Sequence, residues 1–146
     1  MDVTAANPNV VYILSADGSG GFQGVYKSID SGVTFVRSAN NTNVFESTQS
    51  WYDLAFAVSQ TNEDEIYTGC LNIWKSTNGG TTFSKRNSWN SPTSVRYTHA
   101  DIHYLRFFGN KLYCGSDGGV YVSSDNTTTF TNLTASAQIK IGRAHV

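Results

Sequence analysis

Short stretches in which apolar and polar residues alternate recur along almost the whole chain. Residues 52–58 are typical, because Tyr52 and Phe56 would lie on one face of a strand and Asp53 and Ala57 on the other. Similar short stretches are bounded by Gly, Asn, Asp and Ser, and none has the length or the 3.6-residue period of a helix. The pattern predicts many short β-strands joined by turns.

One eight-residue pattern, S-x-[DN]-x-G-x-T-F, occurs three times, beginning at Ser28, Ser76 and Ser123. The starts lie 48 and 47 residues apart, and Thr127 replaces the glycine in the third copy. Each copy follows one strand-like stretch, and another lies further upstream in each repeat. A period near 48 residues built from short strands is typical of propeller blades rather than helical solenoids.

Each copy of this pattern is predicted to close the turn between the third and fourth strands of a four-stranded blade. Asp or Asn at the third position can accept hydrogen bonds from backbone N–H groups ahead of it, and Gly at the fifth supplies a positive φ. The final Phe is expected to begin the next strand and bury its ring. We therefore predict structural roles for Ser28, Asp30, Gly32, Thr34, Phe35, Ser76, Asn78, Gly80, Thr82, Phe83, Ser123, Asp125, Thr129 and Phe130.

The three segments resemble the Asp-box (BNR) repeat of sialidases, sortilin-type receptors, xyloglucanases and many secreted bacterial proteins. His99-x-Asp101-x-His103, followed by Asp117-Gly118-Gly119, is similar to sortilin-type propeller segments of secreted Bacteroidetes proteins. The resemblance implies a β-propeller whose boxes lie on the outer hairpins, away from the ligand face. It also implies an extracellular or cell-surface location, although residues 1–4 lack the features of a signal peptide.

We expect residues 1–140 to form part of an all-β propeller with three four-stranded antiparallel blades, at about residues 1–45, 46–93 and 94–140. Propellers close with four to eight blades, so we expect a fragment whose partners include the remaining blades of the full-length chain. Residues 141–146 match a translation of a common sequencing-adapter oligonucleotide, and we interpret them as a non-native tail. A genuine tail is the alternative.

Composition and charge narrow the classes of function. Gly, Ser, Thr and Asn make up 59 of the 146 residues and aromatic residues 13%, which favours strands and turns and excludes an all-α fold. Ten basic and eleven acidic residues give no basic field for nucleic acid. No apolar run approaches the roughly 18 residues of a membrane span. Cys70 and Cys114 are expected on adjacent blades, where a disulfide is conceivable but two buried free thiols are favoured.

The long connections between blades offer one set of candidate ligand residues. Trp89, Arg96 and Tyr97 lie in the connection before the third blade, where aromatic rings and an arginine could hold a sugar or a peptide. The alternative is that Trp89 and Tyr97 only cover the core of the blade.

A second candidate set lies on the predicted inner strands. On a strand, His99, Asp101 and His103 would share one face at spacings of about 6–7 Å, and Asp53 aligns with His99 in the neighbouring blade. These four side chains could therefore line the mouth of the central channel. Two imidazoles and a carboxylate suit a metal ion, but a hydrogen-bonded lattice along the channel wall is favoured, and no metal or cofactor is predicted.

The sequence predicts a non-catalytic extracellular module that binds a protein or a glycan. The alternative is a glycoside hydrolase of the sialidase or xyloglucanase kind. Such enzymes use two carboxylates in matched positions, and Asp53 and Asp101 are the inner-strand carboxylates available, neither in a specific pattern. Arg37 and Arg86 follow the box phenylalanines on outer strands, so an arginine cluster for sialic acid is not supported. No catalytic residue is predicted.

Overall fold

The computed structural model describes residues 1–134, which form three sheets of four antiparallel strands. The fold is all-β, as the alternation of residues predicts. The interpretation of residues 141–146 as a tail lies outside the described residues. In chain order the strands are β1 Asp2–Val3, β2 Val11–Ala16, β3 Phe22–Ser28, β4 Val36–Arg37, β5 Ala55–Val58, β6 Ile66–Gly69, β7 Ile73–Ser76, β8 Ser84–Lys85, β9 Ile102–Phe108, β10 Lys111–Ser116, β11 Gly119–Ser123 and β12 Thr131–Asn132.

Strand order follows the sequence within every sheet, so each sheet is a simple meander. Strands β1–β4 form the first sheet, β5–β8 the second and β9–β12 the third. In such a meander, the turns between first and second strands and between third and fourth strands lie at one end. We call this the box end. The opposite end carries the turns 17–21, 70–72 and 117–118 and the connections 38–54 and 86–101, and we call it the loop face.

The three S-x-[DN]-x-G-x-T-F segments form equivalent turns between the third and fourth strands, as predicted. In the first copy, Asp30 Oδ1 accepts from Thr34 N at 2.8 Å and Asp30 Oδ2 from Thr34 Oγ1 at 2.6 Å. Ser28 Oγ accepts from Gly32 N at 2.9 Å. The other two copies keep the same backbone bonds, from Thr82 N to Asn78 Oδ1, Thr129 N to Asp125 Oδ1, Gly80 N to Ser76 Oγ and Thr127 N to Ser123 Oγ, each at 2.9 Å.

The fifth position of each turn has the left-handed backbone that the pattern predicts. The φ angles are +88° at Gly32 and +86° at Gly80, where glycine adopts them without steric cost. Thr127 holds φ 62° as a β-branched residue, which is an unusual conformation. Its hydroxyl accepts from Arg86 Nε at 2.8 Å. Arg86 therefore ties the second sheet to the turn between β11 and β12.

Apolar side chains fill the two spaces between adjacent sheets. The final phenylalanines of the boxes are half-buried, and Phe83 and Phe130 pack against these cores. The first core joins the first and second sheets and is covered by Val44 and Phe45. Its remaining buried members are Val10, Tyr12, Leu14, Val25, Val58, Ile66 and Cys70. The second joins the second and third sheets through Ala55, Ala57, Tyr67, Ile73, Ile102, Leu105, Leu112, Cys114 and Tyr121.

The alternation predicted for the second inner strand holds over residues 55–58. Ala55 and Ala57 pack in the second core, whereas Phe56 and Val58 belong to the first. Successive side chains of a strand point to opposite faces, so this strand separates the two cores. Because Ala55 and Ala57 are small, the third sheet can pack close to this strand of the second sheet.

Two inner strands begin later than the sequence indicates. The alternation of residues 52–58 extends upstream of the second, but β5 begins at Ala55, because the N–H groups of Tyr52 and Asp53 both donate to Gln49 O and form a turn. The third was expected from His99, but β9 begins at Ile102, since Asp101 has a left-handed φ of 60°. The outer strands β8 and β12 are short, with two residues each.

Cys70 and Cys114 are free, buried thiols, so the disulfide alternative is wrong. Within residues 1–134, no helix has the length and apolar character needed to cross a membrane.

Candidate functional site

A buried carboxylate and a half-buried one meet on the loop face through a single amide. Gln49 Nε2 donates to Asp53 Oδ2 at 3.1 Å and to Asp101 Oδ1 at 2.7 Å. The three residues come from the connections before the second and third sheets. The amide therefore bridges two like charges and joins these connections to each other.

Asp53 lies in an environment that opposes its charge. It has no exposed surface, and its Oδ1 accepts from Cys70 Sγ at 3.4 Å. Burial raises the pKa of Asp53, because water no longer stabilises the carboxylate; the bonds from Gln49 and Cys70 oppose this shift, and the charge of Asp101 adds to it. A perturbed carboxylate of this kind is a candidate functional group as well as a structural one.

A second, more exposed cluster joins Tyr52 to the turn between β10 and β11. The Tyr52 hydroxyl donates to Asp117 Oδ2 at 3.0 Å, and His103 Nε2 lies 2.7 Å from Asp117 Oδ1. The Tyr52 and His103 rings meet edge to face with centroids 4.9 Å apart. The hydrogen bond with His103, followed by that from Tyr52, lowers the pKa of Asp117. Asp117 in turn raises the pKa of Tyr52.

A β-bulge directs His103 toward Asp117. Tyr104 pairs with Gly115 and Ile102 with Ser116, so His103 is the additional residue on β9. Bulges re-aim a side chain in this way and are common next to functional sites. Its ring therefore reaches the 117–118 turn instead of following the alternation of the strand.

Gly118 allows His99 to lie against the same turn. A Cβ added at Gly118 would meet His99 Cβ at 2.3 Å, so a side chain at position 118 would displace the histidine. His99 Nδ1 lies 3.1 Å from Ala100 O, which fixes the ring over its own backbone.

The predicted single face of His99, Asp101 and His103 is wrong, because the left-handed backbone at Asp101 and the bulge at His103 interrupt the alternation. Asp101 contacts Gln49, while His103 contacts Asp117. Asp53 and Asp101 are brought together through the shared amide. A ligand or channel role for these four residues stays a prediction.

The residues predicted on the connection before the third sheet separate into two kinds. Tyr97 is half-buried, packs against the second core and meets the Tyr121 ring at 6.1 Å, so it covers the core. Trp89 and Arg96 are exposed, and the backbone N–H of Trp89 donates to Asn72 Oδ1 at 3.1 Å. Binding roles for Trp89 and Arg96 also stay predictions.

An open groove of about 650 Å³ runs along the inner strands and is lined in part by Leu54, Phe56, His103, Tyr104 and Arg106. Among the described residues, no group of three His, Cys, Asp or Glu side chains is arranged to hold a metal ion.

Gln49, Tyr52 and Asp117 take part in these two clusters, but the sequence does not indicate them as candidates for function. In the sequence, Asp117 stands out only through the Asp117-Gly118-Gly119 segment of the resemblance, and Tyr52 only through the alternation of residues 52–58. The Asp-Gly-Gly turn was a usable signal, since it marks a loop-face position close to the predicted histidines. The sequence contains no comparable signal for Gln49.

No family model matches the sequence, and no curated protein matches it. Solved structures do. A GH74 xyloglucanase from Xanthomonas campestris matches with a TM-score of 0.63 and 16% identity, over 90% of this chain and 22% of that one. The GH74 enzyme of Niastella koreensis matches with a TM-score of 0.58 and 25% identity, over 87% of this chain and 21% of that one. YCF48 bound to a D1 peptide matches with a TM-score of 0.57 and 12% identity, over 88% of this chain and 38% of that one.

These neighbours are β-propeller proteins, and the three four-stranded sheets correspond to propeller blades. The chain spans about a fifth of the length of the two GH74 enzymes and 38% of YCF48.

Proposed function

We propose that this chain is a non-catalytic propeller module that binds a protein or a glycan outside the cell through its loop face. The observation that carries the proposal is the exposed aromatic surface there. Trp51 is 81% exposed, Tyr52 49% and Trp89 46%, all on connections held by backbone hydrogen bonds. Exposed aromatic residues on a rigid scaffold are typical of binding surfaces.

The box end is suited to a structural role instead. The acceptor side chains of Asp30, Asn78 and Asp125 are engaged with groups of their own turns. This arrangement supports assigning the three turns to the Asp-box repeat that the sequence resembles. The extracellular location rests on that resemblance, and it is compatible with the GH74 neighbours.

The neighbouring structures include examples that fit a protein partner and examples that fit a glycan partner. YCF48 is described with a bound D1 peptide, and the GH74 enzymes include a xyloglucanase. At these identities the likeness concerns the fold, so the choice of partner depends on the loop face of this chain.

A glycoside hydrolase is the second candidate, and the pairing of Asp53 and Asp101 through Gln49 favours it. Glycoside hydrolases use two carboxyl groups whose different environments give them different pKa values and different roles. However, Asp53 has no exposed surface, so a substrate would not contact it without a rearrangement. For this reason we favour binding without catalysis.

The two candidates are separated by titrating the protein with a xyloglucan oligosaccharide and measuring tryptophan fluorescence and released reducing ends together. We expect no release of reducing ends. Any glycan binding should weaken in Trp51→Ala and persist in Val33→Ala, since Val33 is 81% exposed at the box end. Release of reducing ends that is lost in Asp101→Asn would instead establish the hydrolase.

A further inference from the structure

Trp51 and Tyr52 form an exposed aromatic pair on a turn that backbone hydrogen bonds hold in place. Their ring centroids lie 5.9 Å apart with planes inclined at 54°. Ser50 N donates to Gly20 O at 3.3 Å, and Tyr52 N donates to Gln49 O at 2.8 Å. The large exposed fraction of Trp51 therefore belongs to an ordered turn, in which the indole lies over Gly20, where an added Cβ would meet Trp51 Cδ1 at 3.3 Å.

The carboxylate of Asp117 lies at the edge of this aromatic pair. It accepts from the Tyr52 hydroxyl, and 37% of its side chain remains exposed. Because the His103 and Tyr52 contacts favour the charged form, Asp117 carries a full negative charge at neutral pH. A ligand over the Tyr52 ring would thus reach aromatic and anionic groups together.

Most carboxylates of the loop face form no ion pair with Lys or Arg within residues 1–134. Asp17, Asp53, Asp101 and Asp117 all lie there. In residues 1–134 none of these four forms an ion pair with Lys or Arg, but His103 Nε2 lies 2.7 Å from Asp117 Oδ1. Lys27 pairs with Asp64 and Lys75 with Glu65 away from this face, whereas Lys85 pairs with Glu46 on the connection 38–54. Arg106 stacks over the Phe108 ring at 5.5 Å. The surface beside Tyr52 therefore offers a cation the exposed part of the Asp117 carboxylate, while the exposed Arg96 lies on the connection before the third sheet.

We propose that Trp51, Tyr52 and Asp117 bind the guanidinium group of an arginine in a basic segment of a protein partner; the inference rests on the binding role proposed above for the loop face. A guanidinium is planar and stacks on aromatic rings while donating in parallel to a carboxylate. A neutral sugar would use the rings alone and gain little from the charge of Asp117.

The test uses a blocked peptide of three Arg-Gly repeats and the same peptide with citrulline, the neutral analogue of arginine. We expect the arginine peptide to bind at least about tenfold more tightly than the citrulline peptide, a gap of about 1.4 kcal/mol, and increasing salt to weaken it. Isothermal titration at peptide concentrations up to about 50 mM is needed, because a contact of about 2 kcal/mol corresponds to a Kd of about 30 mM.

Variants locate the binding. Trp51→Ala and Asp117→Asn should each weaken the arginine peptide by about tenfold, whereas Tyr52→Phe keeps the ring and should retain most of the binding. Phe108→Ala and Asp30→Asn are matched controls, an exposed aromatic residue and a carboxylate at the box end, and should leave it unchanged. Thermal unfolding of each variant verifies that the fold is intact.

Equal binding of the two peptides, no binding at the highest concentration, or full binding by intact Trp51→Ala and Asp117→Asn proteins would overturn the inference. If a xyloglucan oligosaccharide binds in a Trp51-dependent way while the arginine peptide does not, the loop face is a glycan site and only the arginine inference fails. If neither probe binds, the role proposed for the loop face loses its support as well.

Discussion

Gln49 and Asp101, 52 residues apart in the chain, are joined by a hydrogen bond of 2.7 Å from Gln49 Nε2 to Asp101 Oδ1. The same nitrogen contacts Asp53, which is buried. One neutral amide thus separates two carboxylates and connects the approach to the second sheet with the approach to the third. Hydrogen bonding of this kind is what makes a buried carboxylate tolerable.

Replacing Gln49 with Leu should destabilise the protein by about 1–3 kcal/mol at pH 7, because Asp53 loses its amide donor while it stays buried. The pKa of Asp53 is already raised, so its charged form opposes folding above that pKa, and protonation relieves the penalty as the pH falls. The loss in Gln49→Leu should therefore be smaller at pH 4 than at pH 7. Urea unfolding at both pH values measures this.

Gln23→Leu is the control for that experiment, since Gln23 is an exposed glutamine whose side chain accepts from Ser15 Oγ. It should change the free energy of unfolding by less than about 0.5 kcal/mol. If Gln49→Leu lowers the free energy of unfolding equally at the two pH values, the buried charge of Asp53 is not the cause of the loss.

Replacing Asp30 with Ala should lower the Tm by several degrees, because the Thr34 N–H and hydroxyl lose their acceptor. Asp30→Asn should be much milder, since Asn78 holds the equivalent turn. The bonds from Thr34 and Ser28 lower the pKa of Asp30 from 3.8 to about 2. The stabilisation by this carboxylate is thus complete above 3.8 and is lost as the pH falls toward 2.

Thermal melts between pH 2 and pH 5 test this assignment. The wild type should lose more stability on acidification than Asp30→Asn, which has no proton to take up at this position. Parallel acid profiles for the two proteins would contradict the role given to the Asp30 carboxylate.

Gly80→Ala should destabilise the protein by about 1–3 kcal/mol. The φ angle at Gly80 is +86°, and an added Cβ would lie 3.1 Å from Val25 Cγ1, inside the first core. Gly18→Ala is the matched control, because its Cβ would meet nothing within 4 Å. Urea unfolding that gives the same loss for both variants would be contrary to this explanation.

Neither cysteine should react with a thiol reagent such as DTNB in the native state. Burial raises the pKa of Cys70 to about 12 and also raises that of Cys114, so little thiolate forms at pH 8. Two thiols per chain should react after unfolding in urea. Rapid modification of one thiol in the folded protein would indicate that its surroundings open.

Local hydrogen bonding made the box turns predictable from sequence. Ser28, Asp30, Gly32 and Thr34 lie within seven residues and bond mainly to one another, so their spacing almost determines their geometry. The alternation of residues 55–58 was also readable, because the two faces of that strand bury different side chains. From these elements the all-β architecture and the three four-stranded sheets followed.

The loop face was less predictable, because its contacts join distant parts of the chain. Alternation suggested one face for His99, Asp101 and His103, but the backbone at Asp101 and the bulge at His103 depend on how the third sheet meets the second. Tyr52 and Asp117 are 65 residues apart, and no short-range pattern links them.

The sequence by itself determined the repeating unit of this protein, since strand alternation and turn chemistry act over a few residues and recur with each repeat. The tertiary structure alone decided which side chains meet on the loop face. Gln49 reaches Asp101, and Tyr52 reaches Asp117, only after the second and third sheets have packed. These contacts depend on the distance and angle between the blades. The volumes of side chains in the shared core, such as Ala55, Ala57 and Ile102, set that distance and angle.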